Sequence, residues 1–209
     1  MTPQQIQRFF LTLAAEWPHA ARVILTGAAA GSLLGRVRPS VDVDFAVRLS
    51  RRTPKAWSAF EVAVARTTAI TGVHTNYAED IDRWGVISLL DYARHTRPYR
   101  AFGKLEVLLL DPAYWSIGKL SRYLDPDVRD LVAVLHRQRV PVDRLIRLWA
   151  AALRKSPRSL ASTQFVQQVE HFLRVHGRTI WGRTFDAEAA VRRFASACRP
   201  KVAGSREVV

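Results

Sequence analysis

Val41-Asp-Val-Asp-Phe-Ala-Val47 alternates apolar and acidic residues, and the small-residue turn Thr26-Gly-Ala-Ala-Ala-Gly-Ser32 precedes it. The alternation is that of a β-strand, in which side chains two apart point to the same face. Asp42 and Asp44 then share a face, with Cα atoms about 6.6 Å apart at about 3.3 Å rise per residue. Two carboxylates at that spacing can share a pair of divalent ions held about 3.5–4 Å apart. Without a cation the arrangement is costly, because like charges side by side disfavour joint ionisation. The pair points to a metal site.

Outward from this strand, helical spacing of Ile6, Phe9, Phe10 and Leu13 predicts a helix over 4–15, which Trp17-Pro18 closes. Residues 22–26 read as a short strand. A short helix follows over 28–34, ended by Gly35. Pro54 opens a long helix reaching about Ile70. His74–Tyr77 and Val86–Leu90 are strand candidates, and Leu105–Leu110 is a buried strand. From Pro112 the pattern is helical, over about 112–124, 126–138, 142–155, 159–176 and 186–198. The expected organisation is α+β: a mixed sheet flanked by helices over 1–111, a C-terminal helical bundle over 112–199, and a disordered tail over 200–209.

The chain has 209 residues, of which 48% are hydrophobic, and this is a globular composition. Its single cysteine, Cys198, excludes an internal disulfide framework and a multi-cysteine zinc site. A reducing cytoplasm is the simplest fit. The start of the chain lacks the basic and apolar regions of a signal peptide, and no apolar run reaches membrane-spanning length. The formal charge of +14 is carried mostly by arginine. It fits a polyanionic partner, and equally a genome rich in G and C. The histidines have no metal-ligand spacing; His171 and His176 are five positions apart on a helix.

The residues Gly27, Ala30, Gly35, Arg38, Ser40, Asp42 and Asp44 together fall on a longer pattern. It resembles the nucleotidyltransferase fold of the DNA polymerase beta superfamily. In particular it looks like a bacterial branch whose signature runs Gly-Gly-x-Ala, a downstream Gly, Arg-x-Thr or Arg-x-Ser, then Asp-Ile-Asp. That branch includes abortive-infection and toxin–antitoxin nucleotidyltransferases. The resemblance implies transfer of a nucleoside monophosphate from an NTP to an acceptor hydroxyl, with Mg²⁺ or Mn²⁺. A helix opening after Gly27 presents free N–H groups to phosphate. Ala28 stands where the family usually has Gly or Ser; a hydroxyl is lost there but the N–H remains. The same small residues would also suit a tight helix–strand packing turn.

The superfamily uses a third carboxylate from a neighbouring strand. Glu106, an isolated acid in Lys104-Leu-Glu-Val-Leu-Leu-Leu110, is the candidate, although the family more often has Asp. Its alternative is a strand-end acid paired with Lys104 or an arginine. Asp91 and Asp111 are weaker candidates. By the same resemblance Lys119 binds phosphate, and Asp127 orients Lys119 or accepts a proton from the acceptor hydroxyl. Asp127 also suits a helix N-terminus, and Asp130 reads as structural. The expected site is thus Asp42, Asp44 and Glu106 for metal, Asp127 beside them, and Gly27, Ala28, Arg38, Ser40 and Lys119 for the nucleotide. The expected acceptor is RNA, such as a tRNA 3′ end, with Arg144, Arg147 and Arg154 as candidate contacts. The other acceptor is the partner protein of a toxin–antitoxin pair. The non-enzyme alternative is an antitoxin-type or inactive module that binds nucleotide or a protein partner.

Overall fold

The computed structural model describes residues 1–35, 37 and 39–199. Arg38 and the 200–209 tail, both part of the expectations above, lie outside the described residues. Helix α1 (Pro3–Glu16) is started by a capping box between Thr2 and Gln5, and it buries Ile6, Phe9, Phe10 and Leu13. Then come β1 (Ala21–Thr26), α2 (Gly27–Gly35), β2 (Asp42–Leu49), α3 (Pro54–Thr71), β3 (His74–Ala78), β4 (Thr96–Phe102) and β5 (Leu105–Leu110). Five helices follow: α4 (Pro112–Arg122), α5 (Asp125–Arg137), α6 (Val142–Lys155), α7 (Leu160–Trp181) and α8 (Ala187–Cys198). The protein is α+β, with a mixed five-stranded sheet flanked by helices.

The sheet order is β3-β2-β1-β5-β4. β1 pairs antiparallel with β2 and parallel with β5, β2 pairs parallel with β3, and β4 pairs antiparallel with β5. One face of β2 carries Val43, Phe45 and Val47, all buried, and Phe45 packs against Phe9 and Phe10 of α1. The opposite face carries Asp42 and Asp44. Central β5 is buried at Val107, Leu108, Leu109 and Leu110, as a strand covered on both faces must be.

Three elements differ from the sequence expectation. Val86–Leu90 is not a strand: its amides go to side chains, Leu89 N–H to the Asp82 carboxylate and Ser88 N–H to Ser156 Oγ at 2.8 Å. Strand β4 was not anticipated, because Pro98 interrupts it; it is tolerated on an edge strand, where the ladder shifts register between Pro98 and Arg100. Helix α7 continues past His176 through Gly177. A Cβ there would come within 2.1 Å of the Phe185 ring, so this glycine makes room for packing rather than ending a helix.

Candidate functional site

The turn from β1 into α2 and the start of β2 meet in register, with Thr26 opposite Asp44. Gly27 adopts φ of 62°, a left-handed conformation natural to glycine. A Cβ on it would sit 1.9 Å from Asp44 Oδ2. The glycine is therefore required twice over, by its backbone and by the carboxylate packed onto it. From the other side, Trp115 of α4 donates its indole N–H to the Gly27 carbonyl at 2.8 Å. Ala28 is buried in the first turn of α2.

Asp42 and Asp44 are brought together by a residue the sequence did not flag. Asn76 of β3 lies opposite Asp44 in the parallel ladder. Its Nδ2 donates to Asp42 Oδ2 at 3.0 Å and to Asp44 Oδ1 at 2.9 Å. Burial pushes the Asp44 carboxyl above its ordinary range, and the neighbouring Asp42 adds to this. Asn76, Arg122 and Lys119 oppose the shift without cancelling it. Ser40 is buried and turned inward: its hydroxyl donates to the Asp42 carbonyl at 2.7 Å. It braces the strand start and has no free approach to a phosphate.

Glu106 does not join the aspartates. It lies opposite Arg22, while Asp44 aligns with Thr26 at the far end of β1. Four residues of strand separate the two levels, about 13 Å. Glu106 is half exposed and pairs with Arg22 at 2.7 Å. Its isolation in an apolar run came from the buried opposite face of β5, and its partner is an arginine. Asp111 is structural too: it caps α4 and takes Arg144 at 2.9 Å and Arg97 at 3.4 Å. Asp91 pairs with His95.

Across the pocket, α4 and α5 supply a charged network. Lys119 is 2% exposed and donates to Asp127 at 2.8 Å and to Asp130 at 2.7 Å. Arg122 forks onto Asp127 through Nε at 3.1 Å and Nη2 at 2.8 Å, with its side chain 55% exposed. Burial would raise the Asp127 carboxyl, but the hydrogen bonds from Arg122 and Lys119 outweigh it and hold the group below its ordinary range. Such a carboxylate is a weak base, so its geometry favours orienting the two cations over taking a proton. The guanidinium of Arg122 is in turn held more firmly protonated by Asp127.

Members of both sets line one pocket of about 420 Å³. Thr26, Gly27, Asp44, Asn76, Lys119 and Arg122 form a polar wall. Ile81, Trp84, Ile87, Leu89, Tyr114 and Trp115 form an apolar one. Among the described residues no three His, Cys, Asp or Glu side chains group as a metal site, so a cation here would rest on Asp42, Asp44 and a neutral third ligand. Asn76 can be that ligand if its amide turns its oxygen inward. No described helix is long and apolar enough to cross a membrane. Comparison with known proteins gives no match to any family model, curated protein or solved structure.

Proposed function

We propose that this chain is a nucleotidyltransferase that takes a nucleoside triphosphate with a divalent cation and transfers the monophosphate to an acceptor hydroxyl. The observation that carries the reading is Asp44 packed on the Gly27 turn and joined to Asp42 through Asn76, at the edge of a pocket whose other side bears Lys119 and Arg122. The two carboxylates and the Asn76 amide fit a cation: two like charges face one point, and burial makes their joint ionisation costly. When bound, Mg²⁺ or Mn²⁺ would neutralise phosphate charge and activate the attacking oxygen.

The chain's own residues divide the remaining work. Gly27 and Ala28 offer backbone N–H groups at the start of α2 to phosphate oxygens. Arg122, held by Asp127, presents a fixed cation to the same phosphates. Trp84 and Tyr114 on the apolar wall suit the flat face of a base. The acceptor oxygen bonds to the α-phosphorus, the bond to the β-phosphate oxygen breaks, and pyrophosphate leaves. With Asp42 and Asp44 engaged by the cation and Asn76 unable to take a proton, the proton of the acceptor hydroxyl passes to solvent. Asp42→Ala should abolish labelled NMP incorporation from every NTP while leaving the circular dichroism spectrum unchanged. Incorporation at the wild-type rate would sink the reading.

Two observations bear on the acceptor. Arg144 and Arg154 are engaged within the protein, by Asp111 and by the Ala197 carbonyl. Exposed arginines instead gather where α5 and α7 end: Arg137, Arg139, Arg178 and Arg183. The two ends are tied by Trp181 N–H to the Val140 carbonyl at 2.9 Å and by His136 to the Ile180 carbonyl. Such a patch supports an RNA acceptor, whose binding would weaken steeply with salt. A second reading, a nucleotide-binding module without transfer, is favoured by Asn76 standing where a third acid would help catalysis. Tight Mg²⁺-dependent NTP binding with no incorporation into RNA or protein would establish it.

A further inference from the structure

We infer that Asn76 makes this site a receiver of cation–triphosphate complexes and a poor binder of bare divalent ions. The inference rests on the nucleotidyltransferase reading and deepens it. Asn76 is not on a mobile loop: it is fixed in β3 directly opposite Asp44, on the face that carries both aspartates. Its amide nitrogen sits 3.0 Å from one carboxylate and 2.9 Å from the other, so an N–H donor occupies the point where both converge.

A bare cation reaching that point must displace both hydrogen bonds. The amide must then turn over to offer its oxygen, and the third ligand gained is neutral. Affinity in oxygen-ligand sites follows the number of charged ligands, and here that number is two. Lys119 and Arg122 lie within electrostatic reach of Asp44 and oppose a second positive charge. A triphosphate reverses this balance. It brings its own negative oxygens to the ion and faces them toward the half-exposed Arg122, so the complex is attracted where the free ion is not. An aspartate at position 76 would have the same size and would supply the missing charge.

The test measures Mn²⁺ binding by the loss of its free electron-paramagnetic-resonance signal. Separately, equilibrium dialysis of the labelled α,β-methylene analogues of the four NTPs is run with and without Mg²⁺. Wild type should bind bare Mn²⁺ weakly and should bind at least one analogue at least about tenfold more tightly with Mg²⁺ than without. Asn76→Asp should bind bare Mn²⁺ at least about tenfold more tightly than wild type, as added ligand charge predicts. Equal bare-Mn²⁺ affinities in a folded Asn76→Asp would overturn the inference. So would a low-micromolar Kd for bare Mn²⁺ in wild type, whatever the variant does or whether it folds. If wild type binds neither the ion nor any analogue, the nucleotidyltransferase reading itself fails.

Discussion

Asp44→Asn should make the protein more stable at pH 7 while removing the proposed cation-dependent transfer. The two Asp–Asn76 bonds place Asp42 Oδ2 and Asp44 Oδ1 no more than about 6 Å apart; at that distance unit charges repel by about 3 kcal/mol at an effective dielectric of 20 and by about 0.7 kcal/mol in water. Both aspartates are half-buried and the Asn76 amide already bridges them, so a gain of about 1 kcal/mol is expected. For a chain of this size that is about 2–4 °C in Tm. Asparagine keeps the shape packed over Gly27, and its amide oxygen can still accept from Asn76. The sign follows from Asp44's raised carboxyl: an acid shifted up is held ionised at a cost once pH exceeds its folded value. The gain from Asp44→Asn is thus full at neutral pH and vanishes as pH falls below the ordinary carboxylate range, where wild-type Asp44 is neutral. Urea unfolding at pH 7 and at pH 3, at low salt, reads both. Lower stability of the variant at pH 7, or an equal gain at both pH values, would refute the argument that these carboxylates are held together against their repulsion. Mg²⁺ with nucleotide should raise the wild-type Tm and leave that of Asp44→Asn unchanged.

Gly27→Ala should destabilise by more than about 2 kcal/mol, because it combines a left-handed backbone with a carboxylate in the path of the new methyl; a thermal melt decides. Glu106→Gln should cost no more than about 1 kcal/mol, as an exposed pair does, and should leave nucleotide binding intact. A variant that loses binding would restore Glu106 to the site. Lys119→Met should cost about 3–5 kcal/mol, since it leaves buried Asp127 and Asp130 without their shared ammonium. The Asp127 contribution is present above the ordinary carboxylate range and is lost as pH falls through its lowered folded value. Arg122→Gln should therefore shift the acid unfolding midpoint upward.

The aspartate strand and the turn before it were legible because their signals are local. A period of two places Asp42 and Asp44 on one face, and a glycine before a short helix marks a constrained turn. Glu106 misled because sequence shows an acid among apolar residues but not its level along the neighbouring strand. The register with Arg22 moved it to the other end of the sheet. Asn76 was invisible for a different reason. It carries no charge, it lies in a short strand of mixed pattern, and its meaning exists only once β3 pairs with β2. The tryptophans behave similarly: nothing in the sequence marks Trp115 as the residue that fastens α4 to the Gly27 carbonyl.

The buried charges of α4 and α5 argue for a role beyond holding helices together. Lys119, Asp127 and Asp130 are each nearly inaccessible. An ion pair in such a place is often no more stabilising than apolar side chains of the same volume. A purely structural contact between α4 and α5 would be served by apolar side chains such as Leu120, Leu131 and Leu135, which these helices already bury. What the charged network does, and apolar packing cannot, is fix the direction of a guanidinium. Asp127, anchored by Lys119 at Oδ1, accepts from Arg122 at both its oxygens and leaves that side chain half exposed in the pocket facing Asp44. The sheet supplies the negative side of the site and the α4–α5 pair supplies a positive side of fixed geometry. On the proposed reading, the ligand that bridges them carries both a cation and anionic oxygens, as a metal-bound triphosphate does.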